Sequence, residues 1–522
     1  MATQLLLLAA LLLLPLAALL LAKQRGARRA KNGAQLPPGP PGLPFLGNLL
    51  LLRRSPDVEA LLRRLVAQYG PVVSLRVGSS VSIFIADRRI AHAALVESGA
   101  ALADRPPATR QLLRESGNTI SRSSYGPVWR LLRRNLVAET LHPSRVKQFA
   151  PARAWVRRVL AEMLGREAED AQARAQAPPP VLEALRYAMF CLLVLMCFGE
   201  RLDEAAVRAV AAAQQDWLMF VAQNTSVFAF WPALTRILYR GRLRKGLAFR
   251  RRQKELFLPL IDARRARKRQ LRAAAPENEK ETTFEHSYVD TLLDIMLPEE
   301  GERALTDDEI CNLCSEFLTA GTDTTATALQ WIMAELVKNQ AVQEKLYGEI
   351  KATCGGEQQE VGEEDTHRMP YLKAVVLEGL RRHPPAHFVL SHKAAEDVVA
   401  GGYLIPKGAA VNFTVAEMGW DEREWGRPKE FVPERFLAGG DGEGVDVTGS
   451  REIKMMPFGV GRRICAGLGI AMLHLEYFVA NLVREFEWKE VPGDEVDFTE
   501  TREFTTVMKK PLRARLVRRT TA

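Results

Sequence analysis

The longest uninterrupted hydrophobic run lies at the start of the chain. From Leu5 to Ala22 there are 18 apolar residues and no charge, enough for a helix about 27 Å long, close to the hydrocarbon thickness of a bilayer. Pro15 falls in mid-span, which membrane helices tolerate. Lys23, Arg25, Arg28, Arg29 and Lys31 follow at once. Basic residues after the run predict a membrane anchor over 1–22 with the body on the cytosolic side. A cleaved signal peptide, the alternative, would carry them before the run. Residues 23–48 join this basic cluster to LPPGPPGLPFLGN. Its prolines and glycines exclude a helix or central strand and predict a semi-rigid hinge.

The periodicity then changes. VVSLRVGSSVSIFIA (72–86) alternates apolar and polar residues like a β-hairpin. Elsewhere a helical period dominates, with polar breaks at 171–180, 273–283 and 439–449. The pattern predicts a mainly α body with small β-sheets. Segment 217–239 is apolar and aromatic but carries Gln223, Asn224 and Pro232, so it reads as a membrane-dipping or ligand-lining helix pair rather than a second span. The basic runs 240–245 and 263–272 read as solvated helix faces.

One helix is marked at its start and unusual in the middle. Thr306 to Glu309 forms a capping box, with Leu305 and Ile310 placed as a hydrophobic staple. The pattern stays helical to about Lys338. Its centre reads Ala320-Gly321-Thr322-Asp323-Thr324-Thr325, a cluster of poor helix formers. A local rule broken inside an element often marks function. The expectation is a bulged groove where a flat group lies against the helix beside an acid and an alcohol. A packing glycine with bonded threonines is the plainer alternative.

Composition bounds the rest. The chain has 522 residues, 47% of them hydrophobic, and a net charge of +10, so a large core is available and the charge suits nucleic acid, anionic membrane or an acidic protein partner. Six scattered cysteines are too few for a disulfide framework. Cys311 and Cys314 form a C-x-x-C inside the long helix without a second pair, a weak case for zinc.

The last cysteine stands apart. PFGVGRRICAG (457–467) wraps Cys465 in glycines. Ile464 stands where a dinucleotide fingerprint needs its third glycine, and no Lys-Ser or Lys-Thr follows as a phosphate loop requires. What remains is a tight loop around one thiol, followed by an apolar helix whose N-terminal dipole favours an anionic sulfur. Elsewhere Glu378 and Arg381 lie three apart on a helix opened by Met369-Pro370, Pro433 to Phe436 reads P-E-R-F, and Trp129 and Arg133 lie four apart. Each is unremarkable alone.

Together, in this order, these motifs resemble the cytochrome P-450 haem-thiolate monooxygenases from the anchor to about Leu512. F-x-x-G-x-R-x-C-x-G is met by Phe458, Gly461, Arg463, Cys465 and Gly467, and [AG]-G-x-[DE]-T-[TS] by Ala320 to Thr325. The hinge and anchor resemble the microsomal plant type, and AGTDTTATALQWIMAELVKN with MPYLKAVVLEGLRRHPPAHFVLSH is most similar to plant family 89. The resemblance implies one haem-binding catalytic domain over 49–522, with Cys465 as the axial thiolate of a haem b iron. It implies that Trp129, Arg133, His392 and Arg463 bind the haem propionates, that Phe458 packs near the sulfur, and that Gly467 gives the porphyrin room. Glu378, Arg381 and Arg435 would hold the cysteine loop. Asp323 and Thr324 would deliver protons where dioxygen is cleaved.

The implied activity is insertion of one oxygen atom from O2 into a hydrophobic or amphipathic substrate, with electrons from NADPH through a reductase, at the endoplasmic reticulum membrane. The implied partners are that reductase, cytochrome b5 and membrane lipid, with no nucleic acid. A haem-thiolate isomerase needing no O2 and a haem sensor are the alternatives. Intact Asp323 and Thr324 argue against the isomerase. Phe317, Ala320, His387, Phe388, Val389 and Thr505 are the expected substrate contacts. Arg105, Arg110 and Arg114 stand either as surface charges or as partners for a carboxylate on a lipid-like or tetrapyrrole-derived substrate.

Overall fold

The structure is a computed structural model that describes residues 34–43, 46–55, 57–78, 80–106, 118–174, 176–224, 237–273, 286–354 and 360–519. The expected anchor, Arg110 and Arg114 lie outside the described residues, as does 225–236 of the aromatic segment. Eight helices position the site: α1 (Val58–Tyr69), α2 (Pro127–Asn135), α3 (Val181–Phe198), α4 (Glu204–Asn224), α5 (Arg240–Ala273), α6 (Asp307–Lys338), α7 (Pro370–Arg382) and α8 (Leu468–Glu485). The strands used below are β1 (Val72–Val77), β2 (Ser80–Ile85), β3 (His392–Lys393), β4 (Ala410–Phe413), β5 (Glu500–Arg502) and β6 (Thr506–Met508).

The alternating segment forms the expected hairpin. β1 and β2 pair antiparallel, Val72 opposite Ile85, and Gly78 supplies a positive φ of 60° where the chain turns. β4 then joins β2 in parallel, Ser82 opposite Ala410, and β3 closes the order β1-β2-β4-β3. The free edge of β1 is covered by the described part of the proline-rich stretch. Ser74 donates from its amide to Pro38 O at 2.8 Å and from its hydroxyl to Pro37 O at 2.7 Å. A Cβ on Gly39 would stand 1.9 Å from Ser74 O, so only glycine lets the chain lie this close. Prolines suit such an edge because they offer no further donor for strand pairing.

α6 runs through the helical core, and its capping box forms as read. The Thr306 hydroxyl accepts from the Glu309 amide at 3.3 Å, and the Glu309 carboxylate accepts from the Thr306 amide at 2.9 Å. The expected bulge does not appear, because the helix is continuous from Asp307 to Lys338. The threonine hydroxyls turn back on the helix, Thr322 to Leu318 O at 2.8 Å and Thr324 to Ala320 O at 2.7 Å. They satisfy themselves on carbonyls already bonded in the ladder and leave it intact. Gly321 serves packing: a Cβ there would meet Leu193 of α3 at 2.7 Å.

α3 is long and apolar enough to cross a membrane, with a mean hydropathy of 2.0, but 83% of it is buried inside the protein, as in a core helix. In the aromatic segment, Trp217, Leu218 and Phe220 of α4 are buried. Phe220 packs on Phe249 of α5 with ring centroids 5.7 Å apart. Trp217, Leu218 and Phe220 therefore belong to the core, whereas Ile237 and Leu238, further along the segment, are exposed.

Candidate active site

The cysteine loop is built by backbone constraint. Gly459 and Gly461 hold φ of 68° and 77°. A Cβ on Gly461 would stand 2.1 Å from Leu95 O, so this glycine is required both for its conformation and for close approach. The Cys465 amide donates to Phe458 O at 2.9 Å and closes the turn. All six cysteines are free; five are buried and Cys465 alone is exposed. Burial in the protein mass raises its pKa, while the Gly467 N–H and the Arg133 charge pull it back. A thiol set this deep and still open faces interior space, and a cation bound at its sulfur would fix the thiolate outright.

Gly467 adds a second constraint. Its φ is −92°, which any residue adopts. A Cβ there would meet nothing nearer than Ile470 at 3.6 Å and the Cys465 sulfur at 3.9 Å. The protein itself does not need glycine at 467. What the glycine provides is clearance beside the sulfur.

The four residues expected at the propionates divide in two. Arg463 donates to the carbonyls of Ala103, Ile120 and Ser123 at 2.7, 3.0 and 2.7 Å. Arg133 donates to Ile464 O at 2.6 Å. A guanidinium has five N–H groups, so both keep donors for an anion. Trp129 is stacked between them, with the guanidinium carbons 5.5 and 4.4 Å from its ring centroid. Its single N–H, however, goes to Ile120 O at 2.9 Å. His392 Nδ1 bonds Leu102 O at 2.7 Å. A carbonyl only accepts, so the proton sits on Nδ1 and Nε2 presents a lone pair. Burial, with Arg105 and Arg463 adding, depresses its pKa to about 3. A neutral His392 in this tautomer cannot donate to a carboxylate. Trp129 Nε1 and His392 Nδ1 thus both face main-chain carbonyls.

On α6, Ala320 is exposed on a helix that is otherwise largely buried, and Thr324 is half-buried one turn on. Asp323 points elsewhere. It is buried, and Arg186 of α3 places Nε 3.1 Å from its Oδ1. The approach is a charge contact, since Arg186 Nε makes no aligned hydrogen bond. Arg186 also reaches Glu503 at 3.6 Å and Glu183 at 3.5 Å. Burial raises the Asp323 pKa above its usual 3.8 and Glu503 adds to the rise, while Arg186 opposes it. Sequence reading missed Arg186 and Glu503, because a lone arginine in an apolar helix and a glutamate in a turn carry no motif.

The expected substrate contacts also divide. Ala320 is exposed, and Phe388 and Val389 are half-buried. Leu390, not anticipated, is 61% exposed beside them. Phe317 is buried against Tyr288, ring centroids 5.0 Å apart. Thr505 is buried, its hydroxyl 2.9 Å from that of Thr327. His387 is buried with Nδ1 2.6 Å from Glu59 Oε2 of α1 and Nε2 3.5 Å from Glu500 Oε2 of β5. These three spend their surfaces on the protein rather than on a ligand. Arg105 donates to Ser121 O at 2.9 Å, Leu390 O at 2.6 Å and Ser391 O at 3.0 Å, three of its five N–H groups.

Glu378, Arg381 and Arg435 form a buried ionic knot. Arg381 grips Glu378 through two bonds of 2.6 and 2.8 Å and donates to Gly419 O and Pro428 O. Arg435 reaches the same carboxylate at 3.2 Å and Asp441 at 3.0 Å. Both charges of the central pair are sealed from water. Such a pair persists because nearly every lone pair and N–H is matched, and removing one partner typically costs about 3–5 kcal/mol.

The comparisons agree with this geometry. The family model "Cytochrome P450" matches residues 37–517. Cytochrome P450 89A9 of Arabidopsis thaliana is 45% identical over 92% of this chain and 93% of its own. Oryzalexin D synthase of Oryza sativa subsp. japonica is 31% identical over 93% and 94% respectively. A zebra fish cytochrome P-450 solved with progesterone superposes with a TM-score of 0.68 at 22% identity, covering 89% of this chain and all of that one, a likeness of fold. The chain belongs to the cytochrome P-450 family. It is a haem-thiolate monooxygenase acting on organic substrates, and its haem iron is bound by a cysteine thiolate. An exposed deep thiol, clearance at Gly467 and two arginines with donors to spare fit that group.

Proposed function

We propose that the chain is a membrane-anchored monooxygenase of the endoplasmic reticulum, fed with electrons from NADPH by a reductase and by cytochrome b5. Residues 1–22 form the anchor, 23–48 the basic and proline-rich connection, and 49–522 one catalytic domain on the cytosolic side. The observation that carries the reading is the Cys465 loop, which holds one open thiol under the Gly467 N–H with unneeded space beside it. The bound haem supplies the oxygen-cleaving chemistry. This chain's residues hold and shape its surroundings. Cys465 ligates, Arg133 and Arg463 pair with the propionates, and Phe458 packs near the sulfur. Glu378, Arg381 and Arg435 hold the loop behind it. Ala320, Phe388 and Val389 line the substrate side, while Asp323 and Thr324 move protons to it. Arg462 is exposed beside the loop, a charge that suits an acidic reductase surface.

The test is a carbon monoxide difference spectrum of the full chain, followed by reductase-dependent NADPH and O2 consumption with candidate substrates. A thiolate-type spectrum with substrate-stimulated consumption supports the reading. A chain that turns a substrate over without O2 or reductase would overturn it. Removal of residues 1–31 should release the body from membranes with haem retained.

A further inference from the structure

The chain leaving α7 carries two buried histidines, His383 and His387, before it reaches Phe388 and Val389. Both rings face one carboxylate. Glu500 of β5 places Oε1 3.9 Å from His383 Nδ1 and Oε2 3.5 Å from His387 Nε2. Their other nitrogens reach carboxylates on different elements. His383 Nε2 lies 2.7 Å from Glu335 of α6, and His387 Nδ1 lies 2.6 Å from Glu59 of α1. Acids and histidines thus alternate from α1 to α6 with Glu500 at the centre. The approaches to Glu500 are charge contacts, since neither ring nitrogen makes an aligned hydrogen bond there. Trp331 stacks on His383 with ring centroids 4.2 Å apart, and Trp420 stands across His387 at 5.4 Å.

The same strand grips the residues beyond. Arg502, two positions on from Glu500 and so on the same face of β5, lies over the Phe388 ring at 5.7 Å. The Thr506 amide of β6 donates to Pro385 O at 2.8 Å. At the turn between the strands, the Thr505 hydroxyl meets that of Thr327 on α6, and Glu503 reaches Arg186, the partner of Asp323. The β5–β6 hairpin is thereby tied to α6 on either side of Thr324. At the far end of the segment, Val389 touches the cysteine loop: a Cβ on Gly459 would stand 3.5 Å from its γ carbon. Residues 383–389 therefore join the cysteine loop to the hairpin, and His387 is the charged link next to Phe388 and Val389.

We propose that His387 is a positioning residue of the substrate site: by bridging Glu59 to Glu500 it sets where Phe388 and Val389 stand relative to the cysteine loop, and so which ligand shapes fit there. This rests on the lining proposed for those two residues and adds what fixes it. A charged ring suits the role. Burial works against it, yet Glu500 and Glu59 raise its pKa to about 9, so the bridge is complete at neutral pH. A buried polar chain with each ring between two carboxylates favours one arrangement of its members.

The experiment uses the full-length haem-loaded enzyme in detergent and follows the spectral shift when a nitrogen ligand binds the iron. The probes are imidazole, which needs little room, and 4-phenylimidazole, whose second ring must fit the apolar wall. His387→Gln and Glu500→Gln should each weaken 4-phenylimidazole by about five-fold, the scale of one charge contact, with imidazole affinity and the carbon monoxide spectrum unchanged. The double variant should be no worse than either single one, because both break the same link. In the wild type, 4-phenylimidazole affinity relative to imidazole should fall by a similar factor as pH rises through about 9, and both variants should lack that fall. An unchanged ratio in both variants, or a pH-independent ratio in the wild type, would each overturn the proposal, and the wild-type titration decides it even where a variant fails to fold. Val389→Ala separates the two readings. If it leaves the ratio unaltered, the proposed lining is wrong and the inference falls with it. A sensitive Val389→Ala beside insensitive His387→Gln and Glu500→Gln would overturn the inference alone.

Discussion

Arg186 and Asp323 meet as charges, Nε to Oδ1 at 3.1 Å, where α3 crosses the centre of α6. The pair is unequal. Burial lifts the Asp323 pKa, and Arg186 only partly restores it. A native acid with a raised pKa holds a proton that the unfolded chain releases, so its ionised form weakens the fold once pH passes the folded pKa. Asp323→Asn should accordingly leave the melting temperature at pH 7 unchanged or slightly higher, while product formation falls by about 10²-fold or more if the carboxyl moves protons. Thermal denaturation and product yield on one sample decide it; a steep loss of stability with product retained would sink the assignment. Arg186→Gln removes the cation that favours the ionised form, so the acid limb of the activity profile should move to higher pH.

His387 gives a pH signature of the opposite sign. Burial works against a charged ring, yet Glu500 and Glu59 outweigh it and raise its pKa to about 9. Burial works against the Glu500 carboxylate too, yet His383 and then His387 outweigh it and hold its pKa at about 2. A raised histidine contributes stability that is complete below the unfolded value near 6.5 and is lost as pH rises through 9. The contribution is at most about 3.5 kcal/mol, from roughly 1.4 kcal/mol per pH unit. In the wild type, stability should decline between pH 6.5 and 9, and His387→Gln should flatten that decline. An unchanged slope in the variant would show that the charged ring does not clasp α1 to β5.

Gly467 separates fold from cofactor. Alanine there fits the backbone and meets no atom nearer than 3.6 Å. Gly467→Ala should therefore keep the secondary structure and lose haem, read as the ratio of haem absorbance to protein. Cys465→Ser should abolish the thiolate-type carbon monoxide spectrum, whereas Cys311→Ala and Cys314→Ala, at buried positions on α6, should keep it. Full haem content in Gly467→Ala would mean that the clearance beside the sulfur serves something else.

What the sequence disclosed depended on how local the cause was. The capping box of α6, the β1–β2 hairpin and the glycines of the cysteine loop are set by residues within a few positions, and each stands where the pattern placed it. Partners from distant segments were not legible. Nothing near Asp323 announces Arg186, 137 positions earlier, and nothing near His387 announces Glu59 and Glu500. The threonines at 322 and 324 misled for a related reason. Poor helix propensity predicts a break only where the side chain takes the backbone's partners, and here the hydroxyls share carbonyls with the ladder. His392 shows the same limit. Residue type suggested a propionate partner and said nothing of the Leu102 carbonyl that its Nδ1 bonds.

Thr324 carries the last prediction. Its hydroxyl donates to Ala320 O at 2.7 Å, so its lone pairs remain to accept a proton and the bond to Ala320 can be exchanged for donation into the site. Thr324→Ala removes that exchange at little structural cost, since Ala320 O keeps its helical partner and alanine is the better helix former. Haem content and melting temperature should hold or rise. Proton delivery should not: NADPH and O2 should still be consumed, with the electrons emerging as hydrogen peroxide and product reduced by about 10²-fold or more. Thr324→Ser keeps the hydroxyl and should recover much of the coupling, which separates proton transfer from packing. The measurement is the ratio of product to NADPH consumed, with peroxide assayed alongside. Unchanged coupling in Thr324→Ala would move the proton path away from this hydroxyl, and failure of Thr324→Ser to recover would assign the effect to the lost methyl.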